Sequence, residues 1–171
     1  MKKILVTLII SSVFGVTQAQ IIKSKLDVVA GYGVWELAHL GLRYQYYDQT
    51  QIEIDFGGDL GAREGETIKT FGFNHFVHFG KNSFYTNRPA WFARQGITYM
   101  SNTIDANTSN KKTYLALSAG REFGINDWLG VSADLGFNWL FREKEEKNQT
   151  EVIRTPFAWM PLARIQVFVS F

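Results

Sequence analysis

The stretch Leu129-Gly-Val-Ser-Ala-Asp-Leu-Gly-Phe-Asn-Trp-Leu-Phe141 decides the fold of this chain. Its apolar and aromatic residues occupy every second position, and mostly Gly, Ser, Asp and Asn lie between them. Successive side chains of a β-strand point to opposite faces, whereas a helix would scatter this pattern over several faces. The stretch therefore predicts a strand with one apolar face and one polar face.

Seven further segments alternate in the same way, although the pattern is weaker in two of them. They are residues 26–32, 40–46, 52–56, 71–79, 91–100, 113–123 and 163–171. The chain holds 14 Phe, 7 Tyr and 5 Trp, a composition that favours strands. Eight alternating segments predict an eight-stranded antiparallel up-and-down β-barrel, since bacterial barrels of this kind have an even number of strands.

The residue types indicate which face of the barrel meets lipid. The polar positions are largely small or hydrogen-bonding, as in a narrow interior, and every Lys after residue 19 lies at a predicted strand end or in a connection. Aromatic residues that form interfacial girdles in membrane barrels gather near the strand ends. They are Tyr32, Trp35, Tyr46, Tyr47, Trp91, Trp128 and Trp139. These features predict a transmembrane barrel; a soluble lipocalin-like barrel, with its apolar face inside, is the alternative.

The amino terminus reads as a secretory signal peptide. Lys2 and Lys3 form a basic segment, residues 4–16 are mainly apolar, and Thr17-Gln18-Ala19 resembles a cleavage site. We expect a signal peptide at 1–19 and one barrel domain at 20–171. Without Lys2 and Lys3 the chain has 16 basic and 16 acidic residues, which gives no reason to expect a nucleic-acid partner. No Cys is present, so disulfides do not stabilise the domain.

The predicted connections alternate in length. Residues 48–50, 80–83 and 124–127 form short turns, whereas residues 61–66, 102–110 and 142–154 are longer and more polar. Short periplasmic turns and longer outer loops are typical of outer-membrane barrels, and residues 34–37 are a short exception on the outer side. We therefore expect both chain ends on the periplasmic side.

In these features the chain resembles the small eight-stranded outer-membrane barrel superfamily, the class of OmpX and of the OmpA membrane domain. The resemblance rests on the signal peptide, the glycine- and aromatic-rich strands, the hairpin at 120–127 and the closing segment 165–171. It implies a location in the bacterial outer membrane. It also implies that the barrel-assembly machinery reads the last strand, where Ile165, Val167, Val169 and Phe171 occupy alternate positions. The superfamily shares no single activity.

The alternation also predicts which polar side chains face the interior. They are Asp27, Arg43, Gln45, Glu53, Asp55, Asn74, His78, Arg94, Ser118, Ser132, Asp134, Asn138, Arg164 and Gln166. An eight-stranded barrel is only wide enough for side chains to fill. We expect the three arginines to pair with Asp27, Glu53, Asp55 and Asp134 in a packed polar core, because buried charges need partners. A narrow ion path is the alternative.

The sequence predicts no catalytic, cofactor-binding or metal-binding residues. His39, His75 and His78 lack the Ser two residues away that lipid A deacylases of this class carry. His75 and His78 are three residues apart and fall on opposite faces of a strand, so they cannot jointly bind one metal ion. The glycine-rich segment 57–61 opens no helix and is interpreted as a strand-end turn.

The expected function is an integral outer-membrane protein with a structural or surface-interaction role through its outer loops, and without catalysis. The mixed charges of residues 142–147 are typical of such a solvated loop. Outer-membrane lipid and lipopolysaccharide are the expected partners, together with the assembly machinery. A narrow porin-like channel, a lipid-active enzyme and a soluble periplasmic binder are the alternatives.

Overall fold

The computed structural model of the chain describes residues 26–59, 66–86, 88–105, 108–147 and 150–171. These residues form nine β-strands. The strands are β1 Leu26–Gly33, β2 Leu37–Tyr47, β3 Thr50–Gly58, β4 Thr67–Asn82, β5 Pro89–Asp105, β6 Thr108–Gly124, β7 Leu129–Lys147, β8 Thr150–Arg154 and β9 Ala158–Ser170. No helix in the described part of the chain is long and apolar enough to span a membrane. The predicted signal peptide and nearly all of the predicted loop 61–66 lie outside the described residues.

The sheet closes into a ring of eight strand positions. Consecutive strands from β1 to β7 pair antiparallel, β7 pairs with β9, and β9 pairs with β1 through partners such as Val28 and Val169. The short strand β8 pairs with the far part of β7, where Glu143 is opposite Arg154, and so continues the position of β9. The ring has no free edge along β1, because closure pairs both of its sides.

The facing of the strands agrees with the predicted alternation. Ser118 is half-buried, and every other polar side chain that was predicted to face the interior is buried. The outer face is apolar, with Leu40, Leu135 and Ile165 exposed to 65%, 71% and 56%. This arrangement is the reverse of a soluble barrel, which would keep its apolar face inside.

Strands β4 to β7 are longer than the sequence pattern indicates. The predicted loops 102–110 and 142–154 are largely strand, with pairs such as Thr103 opposite Ser109 and Lys147 opposite Thr150. Both faces of these extensions carry polar side chains, which removes the apolar alternation on which the prediction relied. The predicted turn 80–83 is also wrong, because β4 continues to Asn82 and the connection follows it.

A β-bulge separates the barrel from its extensions. Thr113 is opposite Arg142, but the next residue, Tyr114, is opposite Leu140, so Phe141 is the extra residue of β7. A bulge of this kind bends and twists the strand locally. Beyond it the odd-numbered residues of β7, such as Glu143, take the inward-facing side that even-numbered residues have in the barrel.

The two ends of the barrel are named here after the connections that they hold, as the turn end and the loop end. The turn end holds the connections after β2, β4 and β6, and both chain ends of the barrel. The loop end holds the connections after β1, β3, β5 and β7. The extensions of β5 to β8 project at the loop end.

Candidate functional site

The interior of the barrel is occupied by charged side chains from seven strands and two connections. Four arginines and five carboxylates are linked there by ion pairs, and each of the nine side chains is buried. They are Asp27, Arg88, Glu122, Arg43, Glu53, Arg164, Asp134, Arg94 and Glu36. We call this set the ion-pair chain, because opposite charges alternate along it from the turn end to the loop end.

The first half of the ion-pair chain starts at the turn end. Asp27 of β1 accepts from Arg88 Nη2 at 2.9 Å, and the same arginine donates through Nε to Glu122 at 2.7 Å. Glu122 of β6 also accepts from Arg43 Nη1 at 2.9 Å, across the barrel from β2. Arg43 Nη2 also forms an ion pair with Glu53 Oε2 of the neighbouring strand β3 at 2.8 Å. Each guanidinium in this half therefore lies between two carboxylates.

The second half continues to the loop end with the same alternation. Glu53 accepts from Arg164 Nη1 at 2.8 Å, and Arg164 Nε donates to Asp134 at 3.0 Å. Asp134 of β7 also accepts from Arg94 Nη2 at 3.1 Å, and Arg94 Nη1 donates to Glu36 at 2.8 Å. A planar guanidinium presents five N–H donors in a fixed fork, so it can serve two carboxylates at once.

Residues from connections take part near both ends of the ion-pair chain, Arg88 as its second member and Glu36 as its last. Arg88 belongs to the connection after β4 and is only 2% exposed, although it lies outside any strand. Glu36 belongs to the connection between β1 and β2, and its neighbour Trp35 packs on the buried ring of Tyr114 with centroids 5.4 Å apart. Trp35 Nε1 donates to the Pro161 carbonyl at 2.8 Å. Trp35 was predicted to join a lipid-facing girdle, and its contact with buried Tyr114 contradicts that position.

Aromatic rings fill the space beside the guanidinium groups. Arg43 lies 4.4 Å from the centroid of Phe76, and Arg164 lies 5.5 Å from the same ring. Arg88 lies 5.2 Å from the centroid of Phe168. The rings are buried, so these cations contact ring faces in a place where little water competes for them.

Neutral polar side chains complete the packing around the charges. Gln166 accepts from Arg43 Nη2 at 2.5 Å and donates to Glu53 at 3.2 Å. Asp55 was predicted to pair with an arginine, but among the described residues it accepts instead from Asn74 Nδ2 at 2.7 Å. A side chain at Gly72 would collide with the Asp55 carboxylate, so this position needs a residue without a Cβ.

His75 and His78 lie on opposite faces of their strand, as predicted. His39 and His78 are buried, and His78 Nε2 lies 2.8 Å from Gln51 Oε1. His75 is on the outer face, where its ring nitrogens lie 2.7 Å from Tyr46 Oη and 3.1 Å from Gln95 Nε2. Within the described ranges no group of three or more His, Cys, Asp or Glu side chains has a geometry that would hold a metal ion.

Solved structures of other proteins share this architecture. CarO of Acinetobacter baumannii matches with a TM-score of 0.50 at 12% identity, and the match covers 90% of this chain and 100% of CarO. A major outer membrane protein of Thermus thermophilus matches with a TM-score of 0.49 at 14% identity, covering 88% and 100%. The chain has the fold of a small outer-membrane β-barrel protein.

The predicted fold class is thus confirmed, and the similarity at these identities extends to the fold alone. No family model matches the chain, and no curated protein matches it.

Three members of the ion-pair chain were not among the side chains that the sequence predicts to face the interior. Glu122 has the same strand parity as Ser118, which was predicted to face inward, so the alternation of β6 already carried the signal for it. Arg88 and Glu36 lie in connections, where no period of two applies. Only the closed barrel shows that these two side chains turn into the interior.

Proposed function

We propose that this chain is an integral outer-membrane protein whose barrel is a closed, non-conducting support for a surface-interaction region at its loop end, without catalytic activity. The ion-pair chain is the observation that carries this proposal. Its nine charged groups follow one another at 2.7 to 3.1 Å from the turn end to the loop end.

The size of the barrel supports a filled interior. An eight-stranded barrel has an interior just wide enough for side chains to fill it, whereas open aqueous channels occur in much larger barrels. Removing one member of a buried ion pair leaves an uncompensated charge, so each arginine holds its neighbours in place. Arg88 and Glu36 tie two connections into this network, which favours a rigid plug over a gate.

The extensions of β5 to β8 support a role in surface contacts. They form a sheet beyond the barrel, and all five residues of β8 are exposed. Charged residues occupy both faces of this sheet, as in Lys112 opposite Glu143 and Lys111 opposite Lys144. Exposed segments that a rigid scaffold positions are common places for binding residues.

The last strand supports recognition by the barrel-assembly machinery. Ile165, Val167 and Phe171 are exposed on the outer face of β9 and its end, with Phe171 exposed to 76%. The Phe171 amide donates to the Leu26 carbonyl at 3.0 Å, which anchors the terminal residue beside β1. Replacement of Phe171 by Ser is expected to lower the amount of folded protein in the outer membrane, whereas Phe84→Ser, which alters an exposed aromatic outside the strands, is not.

Two measurements test the proposal. The outer-membrane fraction, extracted in detergent, should contain a band that migrates faster unheated than boiled, as folded barrels do. The same protein in a planar lipid bilayer should give no steady conductance. Recovery only in soluble fractions, with no heat-dependent shift, would contradict the membrane location and favour the soluble binder.

A narrow channel is the second candidate, and a specific observation favours it. Several buried polar atoms have no hydrogen-bond partner in the described residues, among them Asp55 Oδ1, Glu36 Oε2 and Arg164 Nη2. Such atoms are suited to contact internal water, which a conducting path requires. A reproducible single-channel conductance that changes in Arg164→Met would establish the channel and remove the plug.

A lipid-active enzyme is a weaker candidate, favoured by the outer-face contacts of His75 with Tyr46 and Gln95. A His that bonds to a Tyr hydroxyl on a lipid-facing surface is a possible proton-transfer group. Mass spectrometry of lipid A from cells that express the wild type or His75→Phe decides this point. Identical lipid A profiles would remove this candidate.

A further inference from the structure

The outer face of β4 to β7 changes from apolar to basic at one row of the sheet. Register places Lys69 of β4 opposite Ser101 of β5, Ser101 opposite Lys111 of β6, and Lys111 opposite Lys144 of β7. Residues directly opposite one another share a face, and the parity of each strand makes this the outer face. We call Lys69, Lys111 and Lys144 the lysine row.

The rows of outward residues on the turn-end side of the lysine row indicate how deep the lysine row lies in a bilayer. Two rows towards the turn end the outward residues are all apolar or aromatic: Phe73, Ile97, Leu115 and Trp139. The row between contains Phe71, Tyr99, Thr113 and Arg142. Apolar residues, then aromatic and hydroxyl groups, then cations are the sequence of environments from the hydrocarbon core to the headgroups of a bilayer. The lysine row therefore lies at the level of the headgroups.

The charges of this region are only partly neutralised within the protein. Lys144 Nζ lies 2.7 Å from Glu151 Oε2, which compensates one lysine of the row. Among the described residues, no carboxylate lies within 4.0 Å of the side-chain nitrogens of Lys69, Lys111 or Arg142. Lys111 is directly opposite Lys144, and like charges in that position are destabilising. An external anion would relieve this repulsion.

The other strands do not offer the same chemistry at the loop end within the described residues. No outward-facing residue of β1, β2, β3 or β9 is charged, and the exposed outward residues near that end include Tyr32, Leu40, Phe56 and Trp159. Within the described part of the chain, the lysine row is thus confined to one sector. It extends over three inter-strand spacings, or about 14 Å at the usual strand separation, so it can contact more than one anionic group of a single molecule.

We propose that the lysine row, together with Arg142, binds the phosphate groups of an outer-leaflet glycolipid while Phe71, Ile97 and Trp139 contact its acyl chains. Lys binds phosphate as a point charge, and long basic side chains can extend along apolar surface to reach a headgroup. The inference rests on the proposed membrane location, because only a barrel in a bilayer presents this face to lipid. It specifies one sector of the barrel and one chemical class of lipid.

The test compares two pairs of lysines on the same part of the sheet. Lys69→Gln with Lys111→Gln removes two charges from the outer face. Lys112→Gln with Lys147→Gln removes two charges from the inward-facing side of β6 and β7, where Lys112 is opposite Glu143 and Lys147 opposite Thr150. Each folded protein is titrated in neutral detergent with diphosphorylated lipid A, with lipid A lacking phosphates, and with phosphatidylglycerol, and binding is measured by native mass spectrometry.

We expect the wild type and the inner-face variant to bind diphosphorylated lipid A equally, and the outer-face variant to bind it about thirtyfold more weakly, given the usual contribution of two surface lysines to anionic lipid binding. Removal of the phosphates should abolish the difference between the variants. Equal weakening in both variants would mean diffuse charge attraction and would overturn the proposal. Equally strong, lysine-dependent binding of phosphatidylglycerol would overturn the assignment to a glycolipid.

The failure of this inference is distinguishable from the failure of the proposed function. A wild-type protein without a heat-dependent shift on a gel is not a folded membrane barrel, which removes both. A wild type with the shift, but without phosphate-dependent lipid A binding, removes the glycolipid site alone.

Discussion

Two ion pairs with nearly the same geometry lie in two different regions of this molecule. In the barrel, Arg43 and Glu53 are 2.8 Å apart and both side chains are fully buried. In the extension at the loop end, Lys144 and Glu151 are 2.7 Å apart, but their side chains are exposed to 28% and 45%. The distances alone would rank the two pairs as equal.

The difference lies in what surrounds each pair. Water solvates either member of the exposed pair when the other is removed, so such a pair contributes little to stability. The side chains of the interior pair are fully buried, so removal of one partner leaves the other charge in a medium of low polarity. Loss of one partner is therefore expected to cost far more stability in the interior than in the extension.

The largest expected effect follows from Arg43→Met. This change leaves Glu53 and Glu122 without the guanidinium that lies between them. We expect the free energy of unfolding to fall by about 3–5 kcal/mol, the usual cost of breaking a buried ion pair. Urea titration in lipid vesicles, followed by tryptophan fluorescence, measures it. A loss similar to that of Lys144→Met would mean that the two regions do not differ.

A smaller loss is expected from Arg88→Lys at the turn end. Lysine keeps the positive charge but cannot bridge Asp27 and Glu122 with the fixed fork of a guanidinium. We expect a decrease of about 1–3 kcal/mol, the range for losing hydrogen bonds to charged groups. The same urea titration applies, with Lys81→Arg at an exposed position of the same end as the control. Full stability of Arg88→Lys would show that charge alone matters at this position.

Glu151→Gln should have an effect of less than about 1 kcal/mol, because it removes an exposed pair with Lys144. Raising the salt concentration to about 1 M should remove this small difference, since the screening length then falls to about 3 Å. The effect of Arg43→Met should survive the same salt. Salt sensitivity of both variants would contradict the contrast between a buried interior and a solvated extension.

The smallest expected effect is a dependence of stability on pH that arises from Glu143. This residue lies in the extension beyond the bulge. A hydrogen bond from Asn110 Nδ2 at 3.1 Å, followed by the charge of Lys112, lowers the pKa of this carboxyl below its ordinary value of 4.5. A lowered pKa in the folded state adds stability above the unfolded-state pKa, and this stability is lost as the pH falls through the folded-state pKa.

Glu143→Gln should therefore lower the free energy of unfolding at neutral pH by roughly a few tenths of a kcal/mol, because the Lys112–Glu143 pair is still partly accessible to solvent. The stabilities of Glu143→Gln and wild type should converge as the pH falls below 4.5. Glu146→Gln, which alters a neighbouring position on the opposite face, is the matched control. A difference between Glu143→Gln and wild type that grows on acidification would contradict the assigned sign.

Much of the interior could be predicted from the sequence, because the period of two is a local property. Glu53 in β3 and Asp134 in β7 alternate with apolar residues, so their inward facing follows from their own strands. The same reasoning applied to β6 would have included Glu122. The polar extensions were predicted as loops, because a strand that is solvated on both faces carries no such period.

Strand parity assigned each inward side chain, but it could not assign partners. Arg43 meets Glu53 on the next strand and Glu122 across the barrel, 79 residues away. Asp55 was expected to pair with an arginine and instead accepts from Asn74. Which acid meets which arginine depends on the stagger of the strands around the closed ring, a quantity that no single strand contains.

The amino-acid sequence by itself determined the strand type, the apolar outer face and the polar interior, because each follows from the identity and spacing of neighbouring residues. The tertiary structure decided the order of the ion-pair chain, the entry of Arg88 and Glu36 from connections, and the alignment of Lys69, Lys111 and Lys144 in one row. These features join residues that are distant in sequence, and only ring closure with its hydrogen-bonded register brings them within reach of one another.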